Sequence, residues 1–178
     1  AQTVEKGAFT PWPPRRGRFF DSLTAAAAGH IATGDVRYET NLIIDGQGGG
    51  MGAQLAKLLL LKLPADCELL AVGTNVLATS AMLKAGAVRG ARENAVVYNA
   101  ARADVILGPI GILMANGIMG EVSPNMSVAI SGSEAAKVLI PASGCGIFVA
   151  GTQDCRLDEY LQNAVALTLR ALEHDAAG

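Results

Sequence analysis

The stretch that decides the fold of this chain is Asn41-Leu42-Ile43-Ile44-Asp45-Gly46-Gln47-Gly48-Gly49-Gly50-Met51-Gly52. An apolar run ends in five glycines within seven residues, and a leucine-rich run follows over residues 53–63. This order predicts a strand, a tight turn and a helix. Glycines allow a positive φ and a close backbone approach, so N–H groups at the start of the helix can face an anion. We therefore predict a phosphate-binding turn; the alternative is that the glycines serve only to pack the strand against the helix.

The spacing of these glycines, Gly46-x-x-x-Gly50-x-Gly52, is the variant found in short-chain dehydrogenases. It does not fit the G-x-G-x-x-G dinucleotide fingerprint, because Met51 and Ala53 stand where a third glycine would be required. It is not a P-loop either, because no Gly-Lys-Ser/Thr ends the turn and the first lysine after it, Lys57, lies in the following helix. A short-chain dehydrogenase also needs a tyrosine followed four residues later by a lysine. The tyrosines of this chain have a leucine, an arginine and an alanine at that spacing. Reduction chemistry therefore lacks its usual proton donor.

Composition limits the class of protein. A chain of 178 residues fits one domain, and a content of 51% hydrophobic but 4% aromatic residues predicts an aliphatic core. The net charge of −2 argues against a nucleic-acid binder or a membrane-surface binder, either of which would show a basic face. Three widely spaced cysteines form neither a zinc pattern nor a disulfide framework, and we find no signal peptide or membrane span. We expect a cytoplasmic protein.

Residues 1–40 differ from the rest of the chain and read as an N-terminal extension. They combine a proline and arginine segment with Trp12, Phe19 and Phe20, followed by a short alanine-rich helix. One interpretation is an arm that docks on a protein partner through residues 9–20, with the aromatic side chains as anchors. The other is a flexible extension that the core does not need. The sequence also leaves a homo-oligomer open.

Residues 41–178 alternate between short apolar strands and helices of about three turns. The pattern predicts a three-layer, doubly wound, mainly parallel sheet of the Rossmann-like α/β class. About six strands are expected, at residues 42–45, 68–72, 95–98, 104–107, 137–141 and 146–150. Helices are expected at residues 53–63, 76–84, 125–136 and 156–173. Ligands of such sheets bind beyond the carboxyl ends of the strands.

The predicted ligand-binding residues lie at those strand ends, except for Glu121, which lies in an apolar loop. Thr74 and Asn75 can hold a sugar or cap a helix, and because neither is charged, neither NAD nor NADP is favoured. Glu121 is the only acid between residues 104 and 134; it can hold a ligand hydroxyl or amine, or cap a helix. Asp45 can contact the ligand or tie down the turn. The full set is Asp45, Gly46, Gln47, Gly48, Gly49, Gly50, Met51, Gly52, Gly73, Thr74, Asn75, Gly108, Pro109, Ile110, Gly111 and Glu121.

No residue is assigned a catalytic role, and no metal site is predicted. Cys145, Ser143 and Ser131 are candidate nucleophiles, but activation needs a nearby base. The two histidines, His30 and His174, are better explained as a loop residue and a helix-end residue. The basic residues at positions 84, 89 and 92 could meet a phosphate, but a solvated surface cluster explains them better.

Several ordered segments resemble an uncharacterised bacterial family, a domain of unknown function. Besides the glycine turn they include Gly73-Thr74-Asn75, the helix segment at 78–87, and residues 93–96, 103–112, 120–124 and 138–141. The resemblance covers about residues 41–173 and leaves the N-terminal extension outside. It implies a Rossmann-like fold and a nucleotide-type ligand, and it supplies no reaction.

Three hypotheses follow from the sequence. The first is a domain that binds a phosphate-bearing small molecule, such as NAD(P) or another nucleotide, at the glycine turn. The second is a non-catalytic subunit that docks on a larger assembly through its N-terminal arm. The third is an NAD(P)-dependent oxidoreductase that takes its proton donor from a substrate or partner.

Overall fold

The computed structural model describes residues 39–87, 93–141, 147–152 and 155–176. The N-terminal extension and its aromatic anchors, except for the last two residues of the extension, lie outside them. The described elements are β1 (Glu39–Asp45), α1 (Gly50–Leu60), β2 (Cys67–Gly73), α2 (Val76–Lys84), α3 (Glu93–Ala100), β3 (Val105–Pro109), a 3-10 helix (Ile110–Leu113), a short helical turn (Gly117–Gly120), α4 (Pro124–Gly132), β4 (Ala136–Ile140) and α5 (Leu157–Ala176).

The strands form a four-stranded parallel sheet in the order β2-β1-β3-β4. The chain moves outward from β1 to β2 on one side, and from β3 to β4 on the other. The strand order therefore reverses between β1 and β3, and open α/β sheets bind ligands at the carboxyl ends of the strands beside such a reversal. The predicted α/β class with a parallel sheet is confirmed.

Helices cover both faces of the sheet. Ile43 of β1 packs in one buried cluster with side chains of α1, α2 and α5, including Leu55, Met82 and Leu161. Its neighbours in the strand point the opposite way, into a second cluster with Val96 of α3 and with α4. Because both faces of the strands are buried, the strands read as continuous apolar runs in the sequence. None of the described helices is long and apolar enough to cross a lipid bilayer.

The described residues form four strands, where six were expected in the chain. Residues 95–98 are not a strand but belong to α3, in which Val96 and Ala100, four residues apart, are buried while Tyr98 is 56% exposed. Residues 147–149 have no regular structure, and Phe148 is 96% exposed, so this segment has no buried face to hold it in the sheet. Gly146, the first residue of that expected strand, lies outside the described residues.

The expected helix over residues 125–136 ends earlier, at Gly132. Ser133 is extended, with φ −62° and ψ 146°, and β4 begins at Ala136. The predicted helix over residues 76–84 is confirmed at both ends.

Candidate functional site

The glycine turn joins β1 to α1 and is shaped by two left-handed residues. Gln47 has φ 50° and Gly49 has φ 68°. The N–H of Gly49 donates to the carbonyl of Gly46 at 2.9 Å, and the chain enters α1 at Gly50. A Cβ added to Gly49 would lie 2.6 Å from the Cα of Ala78 in α2, so this position requires glycine for both its φ and its space.

The side chain of Asp45 fixes the conformation of the turn. Its Oδ1 accepts the N–H of Gly46 at 2.8 Å, and its Oδ2 accepts the N–H of Gly52 at 2.7 Å. The pKa of Asp45 is raised, mainly by burial and also by the nearby charge of Glu121. The hydrogen bonds from the turn lower the pKa but only partly offset this rise. Since both oxygens accept hydrogen bonds from the turn and the residue is 6% exposed, the carboxylate holds the start of α1 against the end of β1.

The glycines of the turn fall into two groups. A Cβ on Gly46 would lie 2.7 Å from Oε2 of Glu121, and a Cβ on Gly52 would lie 2.4 Å from Sδ of Met82. Any side chain at these two positions would displace neighbouring side-chain atoms, so the packing of the fold accounts for both glycines, as it does for Gly49. Among the described residues, nothing lies within 4 Å of a Cβ added to Gly48 or Gly50, and neither glycine has a left-handed φ. The fold itself does not explain these two glycines, which border open space in front of α1.

The backbone N–H groups of Gly48 and Gly50 are available as hydrogen-bond donors. Within the described part of the chain, the N–H groups of Gly48 and Gly50 have no hydrogen-bond acceptor. The first turn of α1 contains no acidic residue, and its N-cap residue, Gly49, has no side chain. The carboxylate of Asp45 bonds to the N–H of Gly52 and so offsets part of the N-terminal partial positive charge of α1, but it does not bond to the N–H of Gly48 or Gly50.

The end of β2 lies beside this turn. The N–H of Thr74 donates to the carbonyl of Asp45 at 2.9 Å. Asn75 caps α2, because its Oδ1 accepts the N–H of Ala78 at 2.8 Å. Its Nδ2 donates to the carbonyl of Gln47 at 3.0 Å, so the same side chain also joins the turn. Asn75 therefore caps α2 and also lies beside the glycine turn.

Glu121 reaches the same place from a distant part of the chain. Its Oε2 accepts hydrogen bonds from three groups: the N–H of Gln47 at 2.9 Å, Oγ1 of Thr74 at 2.5 Å and Nδ2 of Asn75 at 2.8 Å. Burial raises the pKa of Glu121, but these three bonds together outweigh it, and the net pKa is lowered. The carboxylate is therefore ionised at neutral pH.

The loop that carries Glu121 has an unusual backbone. Asn116, Ile118, Met119 and Gly120 have φ values of 61°, 50°, 57° and 88°. Positive φ is rare for a β-branched residue such as isoleucine, and it marks a strained segment. The loop is closed at its base by the N–H of Asn116, which donates to the carbonyl of Val122 at 2.7 Å. We name residues 116–121 the Glu121 loop.

The Glu121 loop covers the point where β1 and β3 end. A Cβ on Gly46 would lie 2.8 Å from Cγ2 of Ile118, and a Cβ on Gly111 would lie 3.4 Å from Cγ1 of the same side chain. Gly108, within β3, passes so close to β1 that a Cβ there would lie 2.3 Å from the carbonyl oxygen of Ile44. Gly108, Pro109 and Gly111 are buried and form the floor beside the turn, and the half-buried Ile110 begins the 3-10 helix.

The remaining predicted ligand-binding residues also lie at this edge. Gly73 is buried at the end of β2, and Met51 is half-buried in the first turn of α1. All of the residues predicted from the sequence thus lie at the ends of β1, β2 and β3 or in the Glu121 loop. The strain at Ile118 and Met119 was not predicted, since neither residue type signals a left-handed backbone.

Most of the other chemical candidates lie in parts of the chain outside the described residues. Cys145, Ser143, His30 and the basic residues at 89 and 92 lie outside the described residues, as does the side chain of His174. Ser131 is exposed on α4 and donates to the carbonyl of Ser127. Across the described ranges there is no group of three metal-ligating side chains.

Comparison with protein families shows a match to DUF3842, a domain of unknown function, over residues 40–173. The chain belongs to the DUF3842 family. The DUF3842 domain includes the glycine turn, the end of β2 and the Glu121 loop, so the expected membership of an uncharacterised family is confirmed.

A search of curated proteins gave no match. Among solved structures, the domain is similar to a dodecameric FMN-dependent UbiX-like decarboxylase from Escherichia coli O157:H7, with 16% identity over 75% of this chain and 93% of that chain and a TM-score of 0.30.

Proposed function

We propose that this DUF3842 domain binds a phosphate-bearing small molecule, a nucleotide or dinucleotide, at the carboxyl ends of β1 and β3. The phosphate lies on the N–H groups of Gly48 and Gly50, at the N-terminus of α1. Thr74 and Asn75 hold the sugar, and the segment from Gly108 to Gly111 forms the opposite wall of the crevice.

The observation that carries this proposal is the pair of open glycines. Gly48 and Gly50 have ordinary backbone angles, open space around their Cα atoms and N–H groups without an acceptor among the described residues. A glycine that neither φ nor packing requires is explained by a ligand that approaches the backbone closely. The position supports the same conclusion, because the turn lies where the strand order reverses.

Thermal unfolding with a panel of ligands tests the proposal. The panel comprises NAD(H), NADP(H), FMN, ATP, GTP, coenzyme A and S-adenosylmethionine at millimolar concentration. A ligand present at about 100 times its Kd adds roughly 2.7 kcal/mol to the free energy of unfolding, which raises the Tm by about 5–10 °C in a domain of this size. If no ligand in the panel raises the Tm, the nucleotide proposal is wrong.

Gly50→Glu locates the binding site. The new side chain has open space, and an acid in the first turn of a helix is favourable, so the variant should fold at least as well as wild type. Its carboxylate would repel a phosphate and cover the turn, so the ligand-induced rise in Tm should disappear. Gly132→Glu is the control with the same charge change, because Gly132 is also open but ends α4 on the opposite edge of the sheet. A rise in Tm that persists in Gly50→Glu would place the ligand elsewhere.

A further inference from the structure

We propose that the Glu121 loop is a latch, in which the Glu121 carboxylate occupies hydrogen-bond donors that the ligand needs and must leave when an anion binds. This inference rests on the proposed function and adds a mechanism of regulation to that site. It makes Glu121 an internal competitor of the ligand rather than a residue that holds the ligand.

The contacts of Glu121 are those of a bound anion. One oxygen, Oε2, collects a backbone N–H from the glycine turn, a hydroxyl and a side-chain amide. These are the donor types that bind a phosphate oxygen in a helix N-terminal site. In the described part of the chain Glu121 has no cationic partner, so its negative charge is held by these neutral donors alone.

The charge of Glu121 opposes a ligand on the neighbouring N–H groups. Gln47, whose N–H bonds to Glu121, is adjacent to Gly48, whose N–H has no acceptor among the described residues. A phosphate bound to Gly48 and Gly50 would lie within a few ångströms of the carboxylate. At such a distance, in a partly exposed site, a like charge weakens binding by roughly tenfold or more. Movement of Glu121 removes this repulsion and at the same time frees Thr74 and Asn75.

Backbone strain in the Glu121 loop favours its movement away from the glycine turn. Ile118 and Met119 are both in the left-handed region, which L-residues adopt only when the surroundings impose it. The imposing contacts are the bonds of Glu121 and the packing of Ile118 over Gly46 and Gly111. Met119 itself is 89% exposed, and its Sδ accepts only a bond from Nε2 of Gln47. When Glu121 leaves its donors, the strain that it helps to hold is released.

Calorimetric titration with inorganic pyrophosphate tests the latch. Glu121→Gln removes the charge while keeping a carbonyl acceptor, so the variant should bind pyrophosphate roughly tenfold more tightly than wild type. Glu134→Gln is the matched control, because Glu134 is an exposed acid just before β4, at the opposite edge of the sheet. The control should bind as wild type does. Equal or weaker binding by Glu121→Gln overturns the latch, and weaker binding makes Glu121 a ligand contact.

A second pair of variants tests the strain without touching Glu121. Glycine at position 119 relieves the left-handed strain, whereas alanine keeps it, and both remove the same sulfur contact. Relief of strain stabilises the closed loop, so Met119→Gly should bind pyrophosphate several-fold more weakly than Met119→Ala. Equal affinities, or tighter binding by the glycine variant, would contradict the latch even if Glu121→Gln fails to fold.

Amide hydrogen exchange shows the direction of movement. Pyrophosphate should slow exchange in the glycine turn and accelerate it at Asn116 and Val122, whose N–H groups close the loop base. Slower exchange at both places would mean that the loop closes over the ligand, which overturns the latch but leaves the site intact. If wild type, Glu121→Gln and Met119→Ala bind neither pyrophosphate nor any nucleotide of the panel, the proposed function fails and the latch fails with it.

Discussion

Replacing Gly48 and Gly49 by alanine separates the two roles that glycine has in the turn. Gly49→Ala places a Cβ on a residue with φ 68°, at 2.6 Å from the Cα and the carbonyl oxygen of Ala78. The left-handed backbone costs about 1–2 kcal/mol for a residue with a Cβ, and the overlap costs about another 1–3 kcal/mol. We expect a loss of roughly 3 kcal/mol in the free energy of unfolding, which lowers the Tm by about 6–12 °C.

Gly48→Ala should leave the fold intact and weaken ligand binding. Its Cβ meets nothing within 4 Å and its φ is not left-handed, so alanine should stabilise the fold by about 0.4–1 kcal/mol through the unfolded chain. The methyl group would project into the space assigned to the phosphate, and pyrophosphate binding should weaken about tenfold or more. Urea unfolding and calorimetric titration measure the two effects separately, with Gly132→Ala as the open glycine outside the site. The reasoning is refuted if Gly49→Ala is as stable as wild type, or if Gly48→Ala binds pyrophosphate as wild type does.

Three further predictions concern the anchors of the site. Asp45→Asn should lower the free energy of unfolding at pH 7 by about 1–3 kcal/mol, measured by urea unfolding, because one amide oxygen cannot replace both carboxylate oxygens on the N–H groups of Gly46 and Gly52. Gly108→Ala should lower the Tm or prevent folding, because its Cβ would lie 2.3 Å from the carbonyl oxygen of Ile44; an unchanged Tm would show that β1 and β3 are farther apart. The two carboxylates should show opposite pH dependence when urea unfolding is repeated from pH 7 to pH 3. The raised pKa of Asp45 favours the folded state at low pH, and this contribution is lost as the pH rises through the raised pKa, so the deficit of Asp45→Asn should grow on acidification. The lowered pKa of Glu121 favours the folded state at neutral pH, and this contribution is lost as the pH falls through it, so any deficit of Glu121→Gln should shrink; the same sign for both would contradict the assigned contacts.

The sequence was sufficient for the part of the fold in which local signals and burial agree. The apolar run before Asp45, the glycines and the leucine-rich segment predicted β1, the turn and α1 in the correct order. Asn75 predicted the start of α2, because its side chain caps the helix as its position suggests. In these places the same residues satisfy the local backbone and the tertiary contacts.

The two wrong strands were both predicted from short apolar runs, and such a run does not by itself determine a strand. Residues 95–98 contain adjacent valines and a tyrosine, which favour a strand locally. The tertiary structure buries Val96 together with Ala100 and leaves Tyr98 between them exposed, which fits a helix because a strand would place all three on one face. Arg102 stacks on the exposed ring of Tyr98 at 3.7 Å. The segment at residues 147–149 is also apolar, but it forms neither a strand nor a helix, and Phe148 in it is 96% exposed.

The arrangement of the candidate site could be only partly predicted. The rule for parallel sheets places the ends of β1, β2 and β3 at one edge, and the structure brings these three strand ends together. No local signal, however, predicts that Glu121 bonds to Thr74, which lies 47 residues earlier in the chain. The left-handed backbone of Ile118 and Met119 is likewise imposed by tertiary contacts, against the preference of both residues.

The most direct test of the central claim is a titration of the isotopically labelled protein with pyrophosphate, followed by the backbone amide signals. The account predicts that the amides of Gly48 and Gly50 shift early and saturably, with no such response at Gly132. Saturable shifts confined to residues outside the glycine turn, or no saturable shift at Gly48 and Gly50, would contradict it.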